Sequence, residues 1–139
     1  CPPRSVATIL IIDDEASIRR IVRQVLTREG HTVLEAADGR EGVRLQRRER
    51  ADLVITDLVM PEQEGIETIR TLLDEDPDVR IVAMSGGGRG GAESYLRMAE
   101  LMGAVATLPK PFTLQKLRDT VRGALGGEDE AGAQPPSAG

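Results

Sequence analysis

The sequence has 139 residues and a formal net charge of −5, with 40% hydrophobic and 29% charged residues. This length suits one domain with a core, and the balance is typical of a soluble globular protein rather than a disordered or fibrous one. Tyr95 and Phe112 are the only aromatic residues. A base-stacking platform is therefore hard to build, and we predict no direct nucleic acid binding.

The sequence also limits the compartment in which we expect the protein. Cys1 is the only cysteine, which excludes an intramolecular disulfide. No apolar run approaches the length of a membrane span or follows a signal-peptide pattern, so we expect a cytoplasmic protein without membrane contact. Residues 1–6 are predicted to form an N-terminal extension. The chain begins with Cys rather than Met, which is consistent with a piece of a longer protein.

Between residues 7 and 125, short β-branched or aliphatic runs alternate with longer segments of helical period. This alternation predicts βαβ units and a parallel sheet. Because the runs are almost continuously apolar, we expect helices on both faces, giving an α/β fold of the (βα)5, doubly wound type. The five predicted strands comprise residues 8–13, 32–36, 53–57, 80–85 and 104–108.

Five helices are predicted between and after these strands. The first has apolar residues three and four positions apart, and Gly30 is a plausible stop. Three further helices are expected near residues 41–50, 66–73 and 92–101, and the Arg-rich run of the second is interpreted as a solvated face. The predicted apolar positions of the first and last helices are Ile18, Ile21, Val22, Val25 and Leu26, and Leu114, Leu117, Val121 and Leu125, with Leu114, Leu117 and Val121 assigned to the core.

The last segment, residues 126–139, differs in composition from the rest. It contains two glycines, an acidic triplet and a Gln-Pro-Pro run. Such a composition predicts a disordered tail or linker. The sequence leaves open whether this segment ends a stand-alone domain or leads to an effector domain.

Polar residues stand where four of the five predicted strands stop. Asp13 and Asp14 follow the first strand, Asp57 and Ser85 end the third and fourth, and Lys110 follows the fifth. In an open parallel sheet, ligands bind at this edge. Three carboxylates gathered there repel one another, and a bound cation is the best way to offset that repulsion. Oxygen-only ligands suit Mg²⁺, which keeps waters and joins carboxylates to phosphate oxygens.

These residue types together favour phosphoryl transfer. Asp57 is a carboxylate nucleophile, Lys110 a compact cation, and Ser85 a hydroxyl placed where a phosphoryl oxygen on Asp57 would project. Such chemistry needs positioning and charge neutralisation more than covalent assistance. Taken singly, Asp13 or Asp14 is equally well read as a helix N-cap and Ser85 as a loop serine, but their combination makes those readings improbable.

Four motifs, in this order, resemble the receiver domain of two-component response regulators over about residues 7–125. They are Asp13-Asp14, the run from Asp57 to Pro61, Ser85, and Lys110-Pro111-Phe112. The resemblance implies a flavodoxin-like strand order of 2-1-3-4-5. It also implies that the domain catalyses only its own aspartyl phosphorylation and dephosphorylation, and is otherwise not an enzyme.

The resemblance further implies roles for individual residues. Asp57 would take a phosphoryl group from a histidine kinase or phosphotransfer protein. Asp14, Asp57 and the backbone carbonyl of Val59 would hold Mg²⁺ with help from Asp13. Lys110 and Ser85 would bind phosphoryl oxygens, and the Lys110–Pro111 bond would be cis. Ile18 and Arg19 would belong to the kinase-docking surface. The fourth helix, fifth strand and fifth helix would form the face that contacts an effector domain, a target protein or a second copy of the chain.

Two departures from the receiver pattern concern the switch. Thr107 stands where an aromatic residue usually swings inward, with Tyr95 a conceivable substitute. Activation is therefore predicted to depend on movement of the glycine-rich segment 86–91 and the helix after it. Val59 offers no polar side chain to orient an attacking water, and Gly87 offers no steric shield, so we predict an acyl phosphate of intermediate lifetime.

Three other functions were weighed. The Gly86, Gly88 and Gly91 spacing matches a dinucleotide-binding motif, but it follows the fourth strand and lacks the acidic residue expected about twenty positions later. An aspartyl-phosphate phosphohydrolase would need a second Asp two residues after Asp57, where Val59 stands. A pseudo-receiver that binds partners without phosphorylation remains an alternative, against which the intact set of acidic residues argues.

Overall fold

A computed structural model describes residues 7–58, 64–85 and 92–126, with residues 64–65 and 92–96 described by backbone only. The predictions for Val59, for segment 86–91, for the Tyr95 side chain and for the two chain ends therefore lie outside the described residues. Strands and helices alternate strictly. The strands are β1 Thr8–Ile12, β2 Thr32–Ala36, β3 Leu53–Asp57, β4 Arg80–Ser85 and β5 Ala106–Pro109, and the helices are α1 Ala16–Arg28, α2 Gly39–Glu49, α3 Glu64–Glu75, α4 Ala92–Met102 and α5 Leu114–Ala124.

The five strands form one parallel sheet in the order β2-β1-β3-β4-β5, which confirms the predicted fold. Two strand boundaries were predicted wrongly. β1 stops at Ile12, whose partner Ala36 is the last paired residue of β2. β5 begins at Ala106 rather than residue 104, because Gly103 at φ 122° makes the turn out of α4. It then continues to Pro109, which pairs with Ser85.

Two hydrophobic cores lie on opposite faces of the sheet, because successive strand residues point to opposite sides. Ile9 and Ile11 of β1 face α1 and α5, whereas Leu10 and Ile12 face α2, α3 and α4. All four side chains are fully buried. This arrangement explains why the central strands read as continuous apolar runs.

One predicted core residue lies elsewhere. Leu114 remains 47% exposed, while Leu117 and Val121 of the same helix are buried. Leu114 is the first residue of α5. The apolar spacing of the helix was predicted correctly, but spacing alone could not show that its first residue is left exposed.

α2 packs through small and polar residues rather than a large aliphatic stripe. Its buried residues are Gly39, Gly42 and Gln46. A Cβ on Gly42 would lie 2.3 Å from Cδ1 of Ile12, so the helix backbone approaches β1 closely. The buried Gln46 amide donates to the Ala51 carbonyl at 3.1 Å and accepts from its N–H at 3.0 Å. None of these three buried residues is a large aliphatic one, so the buried face of α2 is not marked by an apolar stripe in the sequence.

The ends of α2 are well defined. The Asp38 carboxylate accepts from the Glu41 N–H at 2.8 Å, and the Glu41 carboxylate accepts from the Ala37 N–H at 3.0 Å. This pair resembles a capping box, except that Glu41 bonds the N–H of the residue before the N-cap rather than that of the N-cap itself. Arg50 closes the helix in the left-handed region at φ 51°.

Over the described ranges, no helix is both long and apolar enough to cross a bilayer.

Candidate functional site

The sheet brings the predicted acidic residues to one edge. Ile12 and Thr56 are paired across β1 and β3, so the residues that follow them, Asp13 and Asp57, are neighbours at the strand ends. Carboxylate oxygens of Asp13, Asp14 and Asp57 all lie within 4.8 Å of one another. Asp13 and Asp57 are buried, and Asp14 is exposed. The site therefore has two buried carboxylates and one that faces solvent.

Asp13 is held by contacts to both of its carboxylate oxygens. Oδ1 accepts from the Glu15 N–H at 2.9 Å, and Oδ2 accepts from Lys110 Nζ at 3.0 Å. Burial raises the pKa of Asp13 and outweighs the lowering produced by these two hydrogen bonds. A charged Asp13 is therefore not fully compensated by the protein, and a bound cation would favour its ionised form.

Lys110 is the cation of the site. Its ammonium lies 3.3 Å from Oδ2 of Asp57 and 3.6 Å from Oε1 of Glu15, in addition to the contact with Asp13. Burial lowers the pKa of Lys110, but the hydrogen bond to Asp13 and the negative charges of Asp57 and Asp13 outweigh this effect, so the pKa is raised overall. Lys110 thus stays protonated. Its peptide bond to Pro111, which the resemblance implied to be cis, is cis.

Ser85 is the last residue of β4, and its side chain is fully buried. Among the described residues, its Oγ is a buried hydroxyl without a hydrogen-bond partner. Leaving such a group unpaired costs about 1–3 kcal/mol. The Ser85 backbone carbonyl accepts from the Lys110 backbone N–H at 2.8 Å, which holds the residue after β5 beside the last residue of β4. An oxygen-bearing ligand at the site would satisfy this hydroxyl.

The donor set fits Mg²⁺. All three acidic side chains offer oxygen, and no sulfur or imidazole is among them. Mg²⁺ prefers oxygen ligands, commonly takes one or two carboxylates and keeps several waters, so an exposed Asp14 beside a buried Asp57 suits it. The pocket can therefore hold a divalent cation, for which Asp14 and Asp57 are the candidate ligands.

The predicted switch residue Thr107 is half-buried in β5 and pairs with Ala83. Its neighbours Ala106 and Leu108 pack in the core between the sheet and helices α1 and α5. Thr107 therefore points to the other face of the sheet, which α2, α3 and α4 cover. Over the described residues, the Thr107 side chain makes no hydrogen bond to Asp57 or Lys110. Its role as a switch stays a prediction.

The two predicted docking residues differ in their surroundings. Ile18 is partly buried and packs against the core between the sheet and helices α1 and α5. Arg19 is only 18% exposed, because its guanidinium pairs with Glu35 of β2 at 3.3 Å and donates to the Asp13 carbonyl at 2.6 Å. Arg23 pairs with the same Glu35 at 2.9 Å. Their part in docking a kinase stays a prediction.

Sequence reasoning missed the Arg19–Glu35–Arg23 network and the Glu15 contact with Lys110. One signal was present. Glu35 interrupts an apolar strand, Thr32–Ala36, and a carboxylate inside such a strand usually has a cationic partner. Which arginine on α1 would pair with it depended on the packing of α1 against β2.

Comparison with known proteins identifies the family. The model of the response regulator receiver domain matches residues 9–122. Sporulation initiation phosphotransferase F of Bacillus subtilis is 31% identical over 114 residues, which cover 82% of this chain and 90% of that protein. The chemotaxis protein CheY of Thermotoga maritima is 33% identical over 105 residues, covering 75% of this chain and 85% of that protein.

Longer proteins match as well. The DNA-binding transcriptional regulator NtrC of Azospirillum brasilense is 37% identical over 135 residues, and the chain spans 27% of its length. Among solved structures, a response regulator receiver domain protein from Clostridium thermocellum superimposes with a TM-score of 0.79 at 30% identity, covering 91% of this chain and 99% of the other. The chain belongs to the family of receiver domains found in the response regulators of two-component systems.

Proposed function

We propose that Asp57 accepts a phosphoryl group from the phosphohistidine of a histidine kinase or phosphotransfer protein, with Mg²⁺ as cofactor. The observation that carries this proposal is the position of Lys110, whose ammonium lies within 3.3 Å of both Asp13 and Asp57 at the edge where three carboxylates converge. The side chain of Lys110 is only 14% exposed, and a cation held beside a nucleophilic carboxylate supplies the charge stabilisation on which phosphoryl transfer depends.

In the proposed reaction, a carboxylate oxygen of Asp57 attacks phosphorus and forms a P–O bond. The P–N bond to the donor imidazole breaks, and that nitrogen keeps the electron pair. Lys110 neutralises charge on the transferred oxygens, and the Ser85 hydroxyl donates to one of them. Mg²⁺, held by Asp14 and Asp57 and supported by Asp13, supplies further neutralisation when bound. The carbonyl of Val59 is a candidate third ligand, carried over from the family pattern.

The proposed output is a change in partner affinity. A phosphoryl oxygen would give the buried Ser85 hydroxyl the acceptor that it lacks among the described residues, and so favour a rearrangement at the end of β4. Among the described side chains from α4 to α5, Met98 and Leu101 of α4, Val105 just before β5 and Leu114 of α5 are apolar and exposed. They support the face made by α4, β5 and α5 as the contact for an effector domain, a target protein or a second copy of the chain.

The first test asks whether the chain becomes covalently phosphorylated. The protein is incubated with Mg²⁺ and a small phosphodonor, and intact mass is measured. We expect one added phosphoryl group in the wild type and none in Asp57→Asn. A matched control is Asp74→Asn, which removes an exposed carboxylate on α3 and should leave modification unchanged.

The same assay separates the alternatives. Absence of modification, or modification that persists in Asp57→Asn, would contradict the proposal and favour a pseudo-receiver. Release of many phosphates for each protein molecule would indicate a phosphohydrolase. We propose that turnover is confined to the domain's own aspartyl phosphate, so that the chain is not an enzyme for other substrates.

A further inference from the structure

We propose that Arg19 is a positioning residue for the metal site, acting through the backbone carbonyl of Asp13. This inference rests on the proposed function, because it concerns the Mg²⁺ that the function requires. Arg19 touches no carboxylate of the site. Its Nη1 donates instead to the carbonyl oxygen of the peptide unit that joins Asp13 to Asp14.

That carbonyl has lost its partner in the sheet. The Asp13 N–H still donates to Ala36 at 3.1 Å, but the β1–β2 register ends with Ile12 and Ala36, so no strand residue follows to bond the Asp13 carbonyl. Arg19 fills this position at 2.6 Å with a charge-assisted hydrogen bond. Arg19 of α1 thereby fixes the peptide unit between Asp13 and Asp14, two residues whose carboxylates belong to the metal site.

The guanidinium is itself held in place. Its Nε pairs with Glu35 at 3.3 Å, and the second oxygen of Glu35 pairs with Arg23 at 2.9 Å. The side chains of Arg19 and Glu35 are 18% and 28% exposed, so their contact is partly shielded from solvent, whereas Arg23 is 60% exposed. A planar guanidinium can meet the carbonyl and the carboxylate together, which an ammonium cannot do in the same geometry.

The consequence concerns the exposed ligand. Asp13 is fixed by its own contacts with Glu15 and Lys110. Asp14 is exposed, and its placement depends on the orientation of the peptide unit before it. Loss of the Arg19 contact would allow that unit to rotate, so that Asp14 would be ordered only when Mg²⁺ binds. The cost of that ordering would appear as weaker binding.

A plainer role is also possible for Arg19, namely to tether α1 to β2 through Glu35. Arg23 offers the matched control, because it pairs with the same carboxylate, lies on the same helix and does not contact Asp13. A tethering role predicts similar effects for Arg19→Gln and Arg23→Gln. A positioning role predicts that only the former changes metal affinity.

The experiment is a Mg²⁺ titration of the whole chain, followed by backbone amide NMR shifts of residues 13–15, with urea unfolding measured in parallel. We expect Arg19→Gln to weaken Mg²⁺ binding about tenfold, as loss of a supporting contact does at other metal sites. Arg19→Lys should weaken it about threefold, since it keeps one donor but not the fork. Arg23→Gln should bind as the wild type does.

Each result bears on the inference. Equal Mg²⁺ affinity in the wild type and Arg19→Gln, or equal weakening in Arg19→Gln and Arg23→Gln, overturns it. Should Arg19→Gln fail to fold, Arg19→Lys decides, and wild-type affinity in that variant overturns the inference. A wild-type chain that binds no Mg²⁺ overturns the proposed function as well, whereas a wild type that binds and is phosphorylated leaves the function intact whatever Arg19 does.

Discussion

The ammonium of Lys110 lies 3.3 Å from Oδ2 of Asp57, the proposed phosphoacceptor. This contact joins residues 53 positions apart in the sequence, on the third strand and just after the fifth. It places a positive charge where the transferred oxygens would come to rest.

Replacement of Lys110 by Met should therefore slow phosphorylation of Asp57 by a small phosphodonor by about 100-fold, the usual effect of removing one preorganised charge. Mg²⁺ binding should persist, because the carboxylates remain. Lys116, the only other lysine, is exposed on α5, and Lys116→Met serves as the control. Similar phosphorylation rates for the two variants would contradict the role given to Lys110.

Mg²⁺ should stabilise the folded chain, because the acidic cluster exists only in the native state. At a concentration ten times the dissociation constant, the expected gain in free energy of unfolding is about 1.4 kcal/mol. Thermal unfolding with Mg²⁺ and with a chelator measures it. The gain should be much smaller in Asp14→Asn and unchanged in Asp74→Asn. An equal gain in all three proteins would place the cation elsewhere.

Gly42→Ala should lower the free energy of unfolding by about 1–2 kcal/mol. The new Cβ would meet the buried Ile12 side chain at 2.3 Å, and overpacking outweighs the better helix propensity of alanine. Gly123→Ala is the matched control, because a Cβ there meets nothing within 4 Å, and it should stabilise by about 0.5–1 kcal/mol. Urea unfolding measures both. Stabilisation by both substitutions would mean that Ile12 repacks freely.

Arg50→Gly should stabilise the chain by about 0.5–1 kcal/mol. Arg50 adopts φ 51° at the end of α2, and glycine enters this region without the clash of a Cβ. Arg44→Gly, at an exposed position inside the same helix, should instead destabilise by about 1 kcal/mol. The sign difference between the two variants in urea unfolding is the result to check, and a loss of stability in Arg50→Gly would refute the backbone argument.

His31 should make stability fall in mild acid. Its Nδ1 accepts from the Ala7 N–H at 3.0 Å, and burial lowers the pKa below 6.5, opposed only in part by the charge of Glu29. The folded state then binds fewer protons than the unfolded state, so stability is complete above about pH 6.5 and declines below it until the folded-state pKa is passed. The slope for one proton is at most about 1.4 kcal/mol per pH unit.

His31→Gln supplies the comparison, since a glutamine oxygen can accept the same hydrogen bond without titrating. The difference between the two unfolding free energies, measured from about pH 7.5 down to about pH 5, should grow as the pH falls through the ordinary range of a histidine pKa. Identical pH profiles would show that the contact of His31 with Ala7 does not depend on the charge of the imidazole.

The sequence by itself determined the strand and helix order, the strand ends that carry chemistry, and the family. These features are local. An apolar run is visible without knowing what covers it, and in a parallel sheet all carboxyl ends meet at one edge, so Asp13, Asp57, Ser85 and Lys110 could be placed together before any distance was known.

Only the tertiary structure decided how those residues are held. The bond from Arg19 to the Asp13 carbonyl, the contact of Gly42 with Ile12 and the exposure of Leu114 depend on how helices seat against the sheet. Side-chain period gives the face of a helix but neither its depth nor its offset along the strands. Contacts between distant segments depend on how deeply each helix packs and where it lies along the strands. The sequence pattern therefore predicted which residues form the site, but not which residues hold them in place.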